Sequence, residues 1–351
     1  MTGPASAVAS TRLAVRTELA QLPEGSVVLV GCSGGPDSLA LAGAVAFEAP
    51  KRAIKAAGLV VDHALQPRSR QVAHEAADRC RDLGLDPVDV QTVHVPRDGS
   101  GPEGAARSAR YAALEEAAER LGADAVLIGH TRDDQAESVL LGLARGSGPR
   151  SVAGMAVWDG RHLRPLLGLD RATTRRACAA LGLPVWDDPH NHDSRFTRVR
   201  LRREVLPLLE DVLGSGVAAA LARTAHLLGD DLDALDHLAD AVSTIVLTDT
   251  GEVDAVALAG HPRAVRTRVL RAWCAGCAVP ALTAVHLGAL DALVMAWHGQ
   301  EAVNLPGGFL VRRRSGRLAL DRPDRPDRPD RPDRPDGGPR PPTAVPPDRR
   351  T

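Results

Sequence analysis

Val27-Val28-Leu29-Val30-Gly31-Cys32-Ser33-Gly34-Gly35-Pro36-Asp37-Ser38 is the stretch on which the reading of this chain turns. Its continuous apolar start is that of a buried strand, the Gly-Gly-Pro triplet breaks it, and Leu39-Ala40-Leu41-Ala42 opens a helix. Residues without a Cβ let successive backbone N–H groups converge on one point, and a helix start offers unpaired amides and the positive end of a dipole. The stretch is therefore a strand, a phosphate-sized loop and a helix. Ser33 and Ser38 add hydroxyl donors. Neither G-x-G-x-x-G nor G-x-x-x-x-G-K-[ST] is present, and no Lys lies nearby, so an anion here must be held by backbone, hydroxyls and a metal. Asp37 is the natural Mg²⁺ or water ligand, because a carboxylate beside a phosphate is tolerable only with a cation between them. An ordinary Gly-rich strand-to-helix turn is the competing explanation.

With 351 residues the chain is long enough for two domains and a substantial core. The net charge of −1 creates no overall field that demands a nucleic-acid partner. Of 43 basic residues only Lys51 and Lys55 are lysines; codon bias explains that, and Arg also suits bidentate phosphate contact. The five cysteines, Cys32, Cys80, Cys178, Cys274 and Cys277, are odd in number and lack framework spacing. No signal peptide and no apolar run of membrane length is evident, so a reduced, cytoplasmic protein without membrane contact is expected.

A helical lead-in, Thr11 to Leu22, precedes the first strand. Further strands are expected at Ala57–Asp62, at Val88–Val95 after a helix from about Arg70 to Leu83, and at Ala125–Gly129. Strands alternating with helices imply βαβ units and a doubly wound, mostly parallel α/β sheet, with ligands at the C-terminal strand ends. The polar residues fall there: Asp62-His63 on the second strand, and Gly129-His130-Thr131-Arg132-Asp133-Asp134-Gln135 on the fourth. Arg97 to Gly104 is Gly-rich enough for a mobile loop that closes over a nucleotide, or for a plain surface loop. The following helix carries Arg107, Arg110 and Tyr111, placed to meet phosphate or simply solvated. Adjacent Asp133 and Asp134 are either ordinary first-turn acids or a metal contact or base beside the loop.

Asp170 caps a helix to about Leu181. Five arginines, Arg195, Arg198, Arg200, Arg202 and Arg203, then fall within nine residues, with Phe196 the one aromatic among them. That is phosphate or RNA-backbone contact without base readout, or the solvated face of an amphipathic helix packed through Val199, Leu201, Val205 and Leu206. His190 and His192 are a weak metal signal without Cys.

Ser33-Gly34-Gly35-Pro36-Asp37-Ser38 resembles the PP-loop of the N-type ATP pyrophosphatases, which cleave ATP between the α and β phosphates and leave an adenylated intermediate. Three further motifs narrow the match: Gly104 to Tyr111, Gly129 to Ser138, and Asp188-Pro189-His190-Asn191-His192-Asp193-Ser194-Arg195-Phe196-Thr197-Arg198. Together the four resemble tRNA(Ile)-lysidine synthase. Members of that family use ATP to adenylate the C2 carbonyl oxygen of the wobble cytidine in the isoleucine tRNA with a CAU anticodon, and the amine of free lysine then displaces AMP. The resemblance implies that Ser33, Gly34, Gly35, Pro36 and Ser38 grip the pyrophosphate of ATP, with Arg110 on phosphate and Asp37 on Mg²⁺. It also implies that His130, Asp133 and Asp134 line the cytidine and lysine site, and that Arg195, Arg198, Arg200 and Arg202 hold the tRNA. Where members often carry Asn this chain has Val199, a departure from the pattern.

Three segments are expected: a catalytic ATP-binding domain over 1–215, a smaller, mainly helical tRNA-binding domain over 216–320, and a disordered tail over 321–351. A long helix from Ala218 to about Leu247 leads into the second, followed by helices Ala264–Cys277 and Thr283–Trp297 and short strands at Ala302–Leu305, Phe309–Arg312 and Leu318–Leu320. The larger family members carry a further C-terminal module, and none is expected here. The tail repeats Asp-Arg-Pro, which cannot form a core. Cys274-Ala275-Gly276-Cys277 keeps open a PP-loop tRNA thiolation enzyme, and a non-catalytic nucleotide- or RNA-binding protein is the remaining alternative. The oligomeric state, a homodimer included, is not fixed by the sequence.

Overall fold

The computed structural model describes residues 3–64, 68–94 and 102–322. They fall into two compact units divided between Ala234 and Leu235. The first runs α1 (Ser6–Leu19), β1 (Val27–Cys32), α2 (Pro36–Glu48), β2 (Lys55–Asp62), α3 (Ser69–Leu83), β3 (Val88–Thr92), α4 (Pro102–Leu121) and β4 (Ala125–Ile128). It continues through α5 (Arg132–Arg145), α6 (Pro149–Val152), β5 (His162–Leu163), α7 (Arg171–Ala180), α8 (Thr197–Arg200) and α9 (Leu206–Leu213) into α10 (Val217–Val246), within which the division falls.

The five strands form one sheet in the order β3-β2-β1-β4-β5, and every strand pair in it is parallel. Val27–Cys32 pairs with Lys55–Val60 on one side, and Val28–Gly31 with Ala125–Ile128 on the other. Both faces are covered, which is why β1 reads as an unbroken apolar run. Val28, Val30, Val60 and Leu127 pack with α1, α2, α3 and α7 on one face. Leu29, Leu59 and Val126 pack with Ala113, Leu114 and Ala117 of α4 on the other. The strand order reverses between β1 and β4, so the crevice beyond their ends is the switch point of the sheet, where ligands of such folds bind.

The expected alternation of strands and helices is present, with three local differences. The lead-in helix starts five residues early because Ala7, Val8, Thr11, Val15 and Leu19 make one buried stripe, and it stops short of Leu22-Pro23. β5 is a two-residue edge strand that no alternation announces. The arginine-rich stretch is not one regular helix. After α8, Leu201–Val205 forms a π-turn ahead of Pro207, which has no N–H for the carbonyl four residues back and crowds it. Of the expected mobile loop, residues 97–101 lie outside the described residues and Pro102–Gly104 instead open α4; the Asp-Arg-Pro tail beyond Arg322 also lies outside them.

The second unit is smaller and mainly helical. Beyond α10 it holds β6 (Val253–Asp254), α11 (Ala255–Ala259), α12 (Arg263–Gly276), α13 (Ala284–Met295), β7 (Val303–Asn304), β8 (Leu310–Arg314) and β9 (Arg317–Asp321). Its antiparallel sheet has the order β6-β9-β8-β7; β6, too short to read from pattern, pairs with β9. Cys274 is fully buried in this core and its thiol is pushed up to about 12 by burial, while Cys277 is half-buried. Among the described residues no single helix is long and apolar enough to cross a membrane.

Inside the second unit, Arg266 grips Asp291 through Nε–Oδ1 at 2.7 Å and Nη2–Oδ2 at 3.0 Å, joining α12 to α13. Removing one partner of a buried pair strands the other's charge. Asp291→Ala is expected to destabilise this unit by about 3 kcal/mol, read as a lower calorimetric midpoint. An unchanged midpoint contradicts the assignment of Arg266–Asp291 as its main polar tie.

Candidate functional site

The loop after β1 is shaped by Ser38. Its Oγ accepts the Ser33 amide at 3.1 Å, lies 3.2 Å from Ser33 Oγ and donates to the Gly35 carbonyl at 3.0 Å. Gly34 has φ +77°, a conformation L side chains rarely adopt, and its carbonyl accepts the Trp186 amide at 2.9 Å. Gly35 caps α2 and Pro36 opens it, so the first amides of α2, which no helical carbonyl can satisfy, head the crevice. β4 comes in directly beside them. A Cβ on Gly129 would lie 2.9 Å from the Asp37 carbonyl oxygen, so only glycine lets the start of α5 stand this near the start of α2.

Between the two helix starts lies a cavity of about 620 Å³, lined by Ser33, Gly35, Pro36, Asp37 and Ser38 on one side and by His63, Arg110, His130, Asp134, Arg171 and Arg202 around it. That volume suits a nucleotide-sized ligand. Of the residues singled out in the sequence, the loop, Arg110, His130, Asp134 and Arg202 are brought together here.

The centre of the site is a cluster of carboxylates and guanidiniums. Asp37, on the first turn of α2, accepts a hydrogen bond from Thr174 Oγ1 and lies 3.7 Å from Arg171 Nε. Burial pushes its carboxyl up to about 6, and the charge of Asp134 adds to this against Thr174, Arg171 and Arg202. Asp134 accepts from the Thr131 amide and hydroxyl at 2.8 Å each and pairs with Arg171 Nη2. Burial favours its neutral form, but Arg171 and these donors outweigh it and leave the carboxyl at about 2. Glu137, one turn on and fully buried, takes Arg171 Nη1 at 3.0 Å and Arg202 Nε at 2.9 Å, with Arg198 Nη1 at 3.7 Å.

His130 follows β4 into the cavity, and its buried Nδ1 has no hydrogen-bond partner. Burial, reinforced by Arg110, Arg107 and Arg164, drives its ring down to about 3, so it is a neutral imidazole at neutral pH. Burial likewise lowers His63, whose Nδ1 is also unpartnered.

Other expected site residues stand elsewhere. The Asp133 carboxylate accepts the Arg171 amide at 2.9 Å, which makes it a tie between α5 and α7 and not a free base in the cavity. Arg195 is 84% exposed and bound to Asp193 at 2.6 Å, and Arg200 pairs with Glu204 at 3.1 Å at the surface. Arg198 instead turns towards Ser138 and Glu137. Sequence reasoning assigned no role to Glu137, Arg171 or Thr174. The spacing of Glu137 three residues after Asp134 places both on one helix face and was a usable signal; nothing local marks Arg171.

A parallel sheet with a glycine loop and helix start at its switch point is the architecture of a PP-loop nucleotide-binding protein. Residues 10–209 match the family model of the PP-loop domain, and residues 254–319 match that of the TilS substrate binding domain. A tRNA(Ile)-lysidine synthase of Thermobifida fusca is 56% identical over 322 residues, covering 91% of this chain and 99% of that protein. One from Streptomyces coelicolor is 54% identical over 349 residues, with the same two coverages. The chain belongs to the tRNA(Ile)-lysidine synthase family. Among solved structures, a U34-tRNA thiolase, NcsA from Methanococcus maripaludis with its 4Fe–4S cluster, is similar with a TM-score of 0.55 at 17% identity. It covers 64% of this chain and 79% of its own, a likeness of fold alone.

The unfolded chain takes a proton on histidine near pH 6.5, whereas His130 in the fold does so only near 3, so acidification through that window costs stability. Among the 12 histidines, the His130 ring is expected to hold its NMR shifts from pH 8 down to about 4. His130→Asn should flatten the acid limb of the stability curve. Titration of that ring near 6.5 contradicts the buried, neutral assignment.

Proposed function

We propose that this chain makes lysidine in two steps within the cavity between α2 and α5. Cytosine O2 of the wobble nucleotide attacks the α-phosphorus of ATP; the O–P bond forms as the bond to pyrophosphate breaks. The amine of lysine then attacks C2, AMP leaves with the former O2, and the amine proton passes to a carboxylate. A pyrimidine carbonyl oxygen is a poor leaving group and an adenylate a good one, which is why one site needs both a phosphate grip and an amine site.

The observation that supports this reading is the facing of two unlike halves across one cavity. The amides and hydroxyls of Ser33–Ser38 suit the outer phosphates, with Arg110 at their edge. Opposite, the neutral His130 ring can donate to or accept from a base without adding charge, and Asp134, on the cavity wall, offers a carboxylate for an ammonium. Asp37 fits a Mg²⁺ ligand: burial raises its carboxyl towards the neutral form, it lines the cavity beside the loop hydroxyls, and Mg²⁺ commonly takes one or two carboxylates with phosphate oxygens and water. When bound, that ion would neutralise the phosphates. In this reading Arg202, on the cavity wall, and Arg198, beside Glu137, meet the tRNA backbone, and Arg195 and Arg200 are surface contacts for the same strand.

In this reading residues 1–215 form the catalytic domain and 216–320 a tRNA-binding domain, acting in the cytoplasm. The test is purified protein with ATP, labelled lysine and tRNA(Ile) bearing CAU. ATP-dependent label in the tRNA is expected, and Asp134→Ala should lower its rate about a hundredfold through loss of a charged hydrogen-bond acceptor. Label without ATP, or undiminished in Asp134→Ala, contradicts the assignment. Sulfur transfer dependent on Cys274 and Cys277 would favour thiolation instead.

A further inference from the structure

The first turn of α7 belongs to neither half of the site, yet it touches both. Its backbone is fixed to α5: the Arg132 amide donates to the Leu169 carbonyl at 2.8 Å, the Arg171 amide to Asp133 Oδ2 at 2.9 Å, and Arg132 Nη2 to Asp170 Oδ2 at 3.1 Å. Asp170 Oδ1 also caps the helix by accepting the Thr173 amide at 2.6 Å. From that anchored turn the half-buried Arg171 side chain reaches Asp37 on α2 and both Asp134 and Glu137 on α5. One turn later Thr174, with no exposed surface, donates to Asp37; its Oγ1 also lies 2.9 Å from the Arg171 carbonyl. The hydroxyl has one proton, so Arg171 and Thr174 share the task of holding Asp37 in place.

We infer that Arg171 and Thr174 are positioning residues for this reaction: Thr174 aims Asp37 at the phosphate end, and the Arg171 fork sets the spacing between Asp37 and the Asp134–Glu137 pair. The inference rests on the lysine-transfer reading above. Its physical basis is that two half-reactions sharing one adenylate lose rate steeply when their groups are displaced, by about a hundredfold for a shift near 1 Å. A planar guanidinium can meet three carboxylates at once, whereas an ammonium on a flexible stem is a point charge that meets them singly.

The test uses the full chain in four forms: unchanged, Thr174→Val, Thr174→Ser and Arg171→Lys. Equilibrium ATP binding in the presence of Mg²⁺, thermal midpoint, and kcat and KM for lysine and ATP are measured on each. Thr174→Val is expected to weaken ATP·Mg²⁺ binding about tenfold, with KM for lysine unchanged, and Thr174→Ser to restore it within about twofold. Arg171→Lys is expected to lower kcat about a hundredfold while ATP binding stays within about threefold and the midpoint within a few degrees. Should Arg171→Lys not fold, the Thr174 pair decides.

The inference is overturned if folded Arg171→Lys keeps its kcat within about threefold, if its kcat falls only as its midpoint falls, or if Thr174→Val binds ATP·Mg²⁺ like the unchanged chain. An unchanged chain that binds ATP but never transfers lysine sinks the functional reading instead, so the two failures are separable.

Discussion

Three acidic side chains, Asp37 and Asp134 on the cavity wall and Glu137 buried behind it, converge on one guanidinium, and like charges gathered out of water are tolerable only with cations between them. Arg171 is the cation placed among all three, with Arg202 and Arg198 closing on Glu137 from the other side. The effect is selective. Asp134, directly paired, is held strongly acidic, whereas Asp37, at 3.7 Å from the same guanidinium, is left with a weaker hold on its charge.

That arrangement depends on the backbone beneath it. The reversal of strand order between β1 and β4 sets two helix starts side by side, and Gly129 removes the one Cβ that would hold them apart. Ser38 then folds the glycine loop onto the head of α2 with its own hydroxyl, spending a side chain on the shape of the loop. The loop carries no lysine; amides and hydroxyls, and not a flexible cation, head the crevice. The second unit keeps its own core and its own buried ion pair.

Much of this was legible in the sequence because it is local. An apolar run, two glycines and a proline define β1 and the loop, and alternating patterns define the parallel sheet around it. The elements that escaped were short ones, β5 and β6, which have too few residues to show a period. His130 and Asp134 line the cavity, and they stood out in the sequence because they follow the end of a strand. Asp133 was given the same role for the same reason, but adjacent helix residues point about 100° apart, so only one of the pair faces the cavity. Arg171 and Thr174 were missed because their partners are 34 to 137 positions away, and no spacing rule reaches that far.

The proposed function rests on one claim, that the loop holds the outer phosphates while the innermost is passed to a base oxygen across the cavity. The most direct measurement supplies protein and tRNA with ATP radiolabelled at either the α or the γ phosphate, leaves lysine out, and follows the label. The account predicts that α label alone becomes attached to the tRNA and is released as AMP once lysine is added. Label from the γ phosphate on the tRNA, or AMP formed without any passage of α label through the tRNA, would contradict it.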